Sequence, residues 1–156
     1  MKRVSLFICF LAFAAFVLAK YSIPQYDIVG AGSGTEGTCL VKVYVYSKSA
    51  KVADAAIKQA AIHGVIFKGF SGTASKVTEP PMAKSPSVES QFATFFDAFL
   101  DEDGSGLQYA SIVNGSYERV KASKGYKVGA IVQVNKSKLR KELESAGVIK
   151  SLSSGF

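Results

Sequence analysis

Apolar and polar residues alternate along the segment 38–47, which is the spacing of a β-strand with two different faces. Cysteine and valine occupy one face, so this face is expected to lie in the core. The other face carries Lys42, Tyr44 and Tyr46. The segment therefore predicts a strand that presents an aromatic, partly basic surface away from the core.

The residues that follow predict a helix and then a second strand. An alanine-rich run ends at Gly64, a residue type that suits the left-handed conformation just after a helix. The apolar run 65–70 then has the length of a buried strand. Because strand, helix and strand follow one another within 38–70, we expect a βαβ unit with parallel strands and a right-handed crossover.

The remainder of the chain predicts two helices, a long loop and a β-rich region. Phenylalanines between 86 and 100 repeat at helical spacing, which predicts a helix whose aromatic stripe packs against the sheet. Alternation within 109–134, with an Asn-Gly turn signal, predicts a β-hairpin region. The segment 138–146 predicts a C-terminal helix. The connection 71–87 is rich in Ser, Pro and Lys, and loops of this length often serve function.

These elements favour one domain. Helices that each cover one face of a sheet indicate a two-layer sandwich of the α+β or α/β class, with a ferredoxin-like arrangement as a candidate topology. We expect a single domain over 38–156, preceded by an extended, glycine-rich lead-in over 20–37.

Residues 1–19 have the features of a cleaved signal peptide. Lys2 and Arg3 precede an almost unbroken apolar run that ends at Ala19. This run is shorter than the roughly 20 apolar residues of a membrane-spanning helix. We therefore expect an exported bacterial protein, in the periplasm or outside the cell, with no stable membrane span after cleavage. A retained signal anchor is the alternative.

Cleavage would leave a mildly basic chain with one cysteine. The formal charge would fall from +7 to +5, since two of the 19 basic residues leave and all 12 acidic residues remain. A positive balance favours acidic partners or anionic polymers. Cys39 would have no partner for an internal disulfide, and its valine-rich strand predicts a buried, unreactive thiol.

The sequence DEDGSG carries the residue types of a calcium loop. Asp101, Asp103 and Ser105 match the first three side-chain ligand positions of an EF-hand loop, and Gly106 matches its turn glycine. The twelfth position is Ile112, which lacks the carboxylate that completes the calcium shell. A weak calcium site at the two aspartates and the serine is one hypothesis, and a solvated acidic turn is the other.

Residues for catalysis are sparse in this sequence. His63 is the only histidine, and nothing near it in the chain would activate a pair with Cys39. The glycines between 32 and 37 have the spacing of a dinucleotide fingerprint, but they lead into a predicted strand instead of the helix that would receive the phosphates. An enzyme whose carboxylates come together from distant parts of the chain stays open.

The sequence therefore favours a non-enzymatic interaction or accessory module of the cell envelope. Its binding residues would be Lys42, Tyr44 and Tyr46, together with the loop 71–87. The expected partner is an envelope protein or an anionic or glycan polymer, since export argues against nucleic acid. No cofactor is expected apart from calcium. The alternatives are a calcium-binding secreted domain and an enzyme with a site not legible from the sequence.

Overall fold

The centre of the fold is a five-stranded antiparallel sheet, seen in a computed structural model that describes residues 21–72 and 78–151. The predicted signal peptide 1–19 lies outside the described residues. The strands are β1 (Tyr26–Ser33), β2 (Cys39–Ser47), β3 (Phe70–Ser71), β4 (Thr78–Glu79), β5 (Ala110–Ile112), β6 (Glu118–Ala122) and β7 (Gly125–Val134). The helices are α1 (Asp54–His63), α2 (Ser87–Gln91), α3 (Ala93–Phe99) and α4 (Lys136–Ser145).

The main sheet has β2 and β7 at its centre. Its order is β1-β2-β7, and the far side of β7 pairs with β6 along one part and with β5 along another. The strands β3 and β4 form a separate two-stranded sheet. Every strand pair among the described residues is antiparallel, whereas a ferredoxin-like sheet contains parallel neighbours.

One hydrophobic core lies between the inner face of this sheet and the helices. The inward residues of β2 are buried, as their alternation predicts, and so are Val128, Ala130 and Val132 of β7. The helices contribute the buried side chains of Ile57, Ile62, Phe96, Phe99, Leu139 and Leu143 to the same cluster. The α+β class is thus confirmed. No described helix is long and apolar enough to cross a membrane.

The predicted βαβ unit over 38–70 is wrong. The chain continues past α1 as a π-helical turn, Gly64–Lys68, and Gly64 itself is helical with φ −61°. Val65 and Ile66 are buried in this turn. An apolar run that is buried on all sides has no periodicity, so its length could not distinguish a strand from a helix. Gly69, at φ +67°, is the left-handed glycine that ends the turn.

The glycine-rich lead-in predicted over 20–37 contains strand β1, which pairs with β2 from Tyr26 to Ser33. One of its glycines, Gly30, serves close packing. A Cβ on Gly30 would lie 3.1 Å from the backbone of Gly72, so glycine lets the chain after β3 approach this strand. Low strand propensity in the sequence therefore concealed an element that tertiary contacts require.

The helix predicted over 86–100 is divided into α2 and α3 at Phe92, which has φ −111° and ψ 31°. The aromatic stripe nevertheless faces the core, with Phe96 and Phe99 buried and Phe92 partly buried. The β-rich region 109–134 is confirmed as β5, β6 and β7.

The C-terminal helix is also confirmed. It begins at Lys136, two residues before the predicted 138–146, and the side chain of Asn135 accepts a hydrogen bond from the Lys138 N–H.

The connection 71–87 is only partly a loop. It contains β4, and beyond this strand Met82 and Ala83 are buried. Their N–H groups donate to the carbonyl oxygens of Val65 and Ile66 at 3.3 and 2.9 Å. The second half of the connection is therefore fixed against the π-helical turn, while 73–77 lies outside the described residues.

Candidate functional site

The outer face of the sheet carries a hydrogen-bonded group around Asp27. The Tyr46 hydroxyl donates to Asp27 Oδ2 at 2.6 Å, and Lys127 Nζ lies 3.2 Å from the same oxygen. The hydrogen bond from Tyr46, followed by the ammonium of Lys127, lowers the pKa of Asp27 below its ordinary value. One carboxylate of β1 thus holds residues of β2 and β7 in a fixed arrangement.

A second group lies across the sheet around Glu118 of β6. Lys42 Nζ is 2.6 Å from Glu118 Oε2, and the Tyr44 hydroxyl donates to this oxygen at 3.2 Å. The Lys42 contact lowers the pKa of Glu118 and raises that of the lysine itself. The structure therefore brings Lys42, Tyr44 and Tyr46 onto one face, as the alternation predicts, and adds acidic partners that the sequence did not single out.

The ring of Tyr44 is partly covered by its surroundings. It lies against Gly129 of β7, where a Cβ would approach the ring carbons to 2.6 Å. Lys127 Nζ and Lys42 Nζ lie 4.5 and 5.2 Å from its centroid, within the range of a cation–π interaction. A sugar ring that stacked on Tyr44 would have to compete with these ammonium groups, so the face is poorly suited to glycan stacking.

A groove of about 700 Å³ lies between β1 and the β3–β4 hairpin. We call it the edge groove, and its lining includes Asp27, Ile28, Tyr44, Lys68, Phe70 and Thr78. Tyr44 thus lines the same concave site as Ser71 and Thr78, which lie on either side of residues 73–77 in the 71–87 connection. The two regions predicted to bind a partner are adjacent in space, although about 30 residues separate them in the chain.

The backbone of β1 borders this groove with the edge that pairs with no other described strand. The carbonyl of Gln25 accepts from the Tyr46 N–H at 2.9 Å, so Gln25 and Tyr46 are a hydrogen-bonded pair. Hydrogen-bonded and non-hydrogen-bonded pairs alternate along an antiparallel ladder. The N–H and C=O groups of Tyr26 and Ile28 therefore point away from β2, towards the groove.

Lys68 is one of the residues that line the groove. Its Nζ lies 3.8 Å from the centroid of the Tyr26 ring and donates to the Tyr26 carbonyl at 3.4 Å. None of the ion pairs found among the described residues includes Lys68, although it is close enough to Asp27 to help lower the pKa of that carboxyl. The other charged residues of the groove are paired, Asp27 with Lys127 and Glu79 with Lys136.

Comparison of the chain with protein-family models, with curated proteins and with solved structures finds no match. Evidence on function therefore comes from the geometry of this chain alone.

A partly buried network of hydrogen bonds lies next to the edge groove and includes the single histidine. The Tyr26 hydroxyl lies 2.6 Å from His63 Nδ1, and His63 Nε2 lies 3.3 Å from Glu89 Oε1. Tyr21 donates to the same glutamate oxygen. Burial lowers the pKa of His63, so the neutral ring accepts from Tyr26 and donates to Glu89. These hydrogen bonds connect Tyr21, which precedes β1, with β1, α1 and α2.

Cys39 is buried, as its strand pattern predicts. Burial raises the pKa of its thiol to about 11, which keeps it protonated and weakly nucleophilic at neutral pH. The residue lies at the opposite end of β2 from Val45, the partner of Tyr26. Because six residues of strand span roughly 20 Å, Cys39 and His63 do not form a pair.

The acidic segment after α3 is exposed. Asp101, Asp103 and Ser105 are all on the surface, and the last of them begins a 3₁₀-helical turn, Ser105–Tyr109, in place of the calcium loop's continuation. In the part of the chain that is described, no group of three or more His, Cys, Asp or Glu side chains is arranged to hold a metal ion. Calcium binding here stays a prediction, which a melting curve in millimolar calcium tests directly.

Proposed function

We propose that this protein is an exported, non-enzymatic interaction module of the cell envelope that binds an acidic protein partner in the edge groove. The observation that carries the proposal is the convergence of Tyr44, the β3–β4 hairpin and the unpaired edge of β1 on one concave surface of about 700 Å³. Concave sites with a few fixed polar groups are the usual places for binding.

The charge of the groove supports an acidic partner. Asp27 and Glu79 are already neutralised by lysines, which leaves Lys68 as a cation that a carboxylate of the partner can meet. The positive charge of the whole chain acts in the same direction, because it attracts acidic molecules at long range.

A protein partner is favoured over a glycan because of the state of the aromatic face. The Tyr44 ring already has the ammonium of Lys127 over it, and the Tyr46 hydroxyl donates a hydrogen bond to Asp27. The edge of β1, in contrast, offers backbone donors and acceptors that match another polypeptide.

Affinity capture from an envelope fraction tests this proposal with a charge-reversed variant. Lys68→Glu places a negative charge in the groove, and Lys141→Glu makes the same change at an exposed position of α4. We expect the wild type and Lys141→Glu to recover the same protein and Lys68→Glu to lose most of it. Protease treatment of the fraction should abolish recovery, and glycan hydrolases should leave it intact.

Two results would overturn the proposal. Equal recovery by Lys68→Glu would remove the groove from the interaction. Recovery that resists protease but is lost after glycan hydrolysis would replace the protein partner with a glycan.

A further inference from the structure

The outward backbone of β1 is a short template for another strand. Tyr26 and Ile28 direct their N–H and C=O groups into the edge groove, and among the described residues only Lys68 bonds to any of them. Unpaired edges of this kind attract additional strands, and native proteins usually block them. Within 21–72 and 78–151, the one group that blocks this edge is the ammonium of Lys68, whose long side chain can rotate away.

We infer that the partner binds by strand addition, as an extended segment that pairs antiparallel or parallel with Tyr26–Val29 and carries a carboxylate opposite Lys68. This inference rests on the proposed function and specifies its mode of binding. Main-chain hydrogen bonds to Ile28 would supply affinity, and side chains of the added strand would lie in the groove.

The groove has the dimensions and limits that an added strand needs. It runs beside Tyr26, Asp27, Ile28 and Val29, a length of roughly 13 Å, which suits three or four residues of an extended chain. Beyond these residues, Gly30 lies against Gly72, where the backbones are too close for another strand. The added segment is therefore short and ends at this contact.

The charge of the site selects the occupant. An extended peptide that places an acidic side chain or its terminal carboxylate beside Lys68 would pair with this lysine and release its ammonium from the Tyr26 carbonyl. A second copy of this chain is disfavoured, because its own β1 edge would bring another Lys68 into the same region.

Synthetic peptides test the backbone component without altering the protein. The probe is an eight-residue peptide of alternating valine and threonine with one central glutamate, and the control is the same peptide N-methylated at alternate amides. We expect the probe to bind the full-length protein and the N-methylated peptide to bind at least about tenfold more weakly, since one or more main-chain hydrogen bonds are lost.

A pair of protein variants tests the same point from the other side. Ile28→Pro removes the outward N–H, which the β1–β2 ladder does not use, and Ile28→Ala removes the same side-chain packing but keeps the N–H. We expect Ile28→Pro to bind the probe about tenfold more weakly than Ile28→Ala. In the wild type, amide exchange at Ile28 should be fast when free and slow in the complex.

The outcomes separate the binding mode from the proposed function. Strand addition is overturned if the probe and the N-methylated peptide bind equally well. It is also overturned if the Ile28 amide stays unprotected from exchange in a complex that Lys68→Glu abolishes. Either result would mean that the groove binds its partner through side chains alone. A complex of two copies of the chain in light scattering, in place of a peptide complex, would also overturn it. Loss of the Lys68→Glu effect itself would remove the proposed function.

Discussion

The substitution Gln59→Met isolates one buried hydrogen bond that joins two helices. Gln59 is 4% exposed, and its Nε2 donates to the carbonyl of Leu100 at 2.7 Å. This carbonyl follows the last turn of α3, where helices leave carbonyls without partners in their own backbone. Methionine keeps the length and volume of the side chain but cannot donate.

The magnitude follows from the group that is left unpaired. A buried carbonyl without a partner costs about 1–3 kcal/mol, so the melting temperature of Gln59→Met should fall by roughly 3–12 °C. Urea titration should show a lower midpoint with an unchanged slope. Gln91→Met, at an exposed position of α2, is the control and should stay within about 0.5 kcal/mol of the wild type. If both variants match the wild type, the hydrogen bond does not join α1 to α3.

Three further outcomes concern groups that are wholly or partly buried. Because the pKa of His63 lies below its ordinary value of about 6.5, its contribution to the free energy of unfolding should be complete above pH 6.5 and should be lost as the pH falls below this value. In urea titrations at several pH values, His63→Gln should show a flatter dependence on pH than the wild type. Identical pH profiles for the two proteins would contradict this expectation. The Cys39 thiol should react with a thiol reagent only as fast as the protein unfolds, and rapid modification of the folded protein would contradict its burial. Gly30→Ala should destabilise the protein by about 1–3 kcal/mol, because the added Cβ would lie 3.1 Å from the backbone of Gly72. Gly115→Ala is a control for backbone strain without crowding, since a Cβ there meets open space while the residue has φ +73°.

The sequence predicted those elements in which buried and exposed residues recur at the regular spacing of a strand or a helix. The strand around Val43 and the helix α4 each have one buried face and one face that is more exposed, so their alternation or helical spacing was visible. Val65 and Ile66 are buried on every side and carried no such signal. Gly30 made β1 look irregular, because the reason for a glycine there is the approach of Gly72 from a distant part of the chain.

The candidate site was predictable in part for the same reason. Tyr44 and Tyr46 alternate with the core residues of β2, so their common face could be inferred. Asp27 and Lys127 reach them from β1 and β7, and only the strand register shows that these residues are neighbours. The edge groove depends on the position of the β3–β4 hairpin, which no local pattern indicated.

The side of β7 that faces away from β2 offers no continuous edge to which a further strand could be added. The two short strands β5 and β6 each pair with a different part of this side. Between them, Ser116 Oγ accepts a hydrogen bond from the Ile131 N–H at 3.0 Å, in the position where a paired strand would supply a backbone carbonyl. The outer strand β6 is exposed throughout and largely charged. A growing fibril needs a continuous edge at both ends, so a molecule with this asymmetry would terminate a β-structure that it joins and would not propagate it.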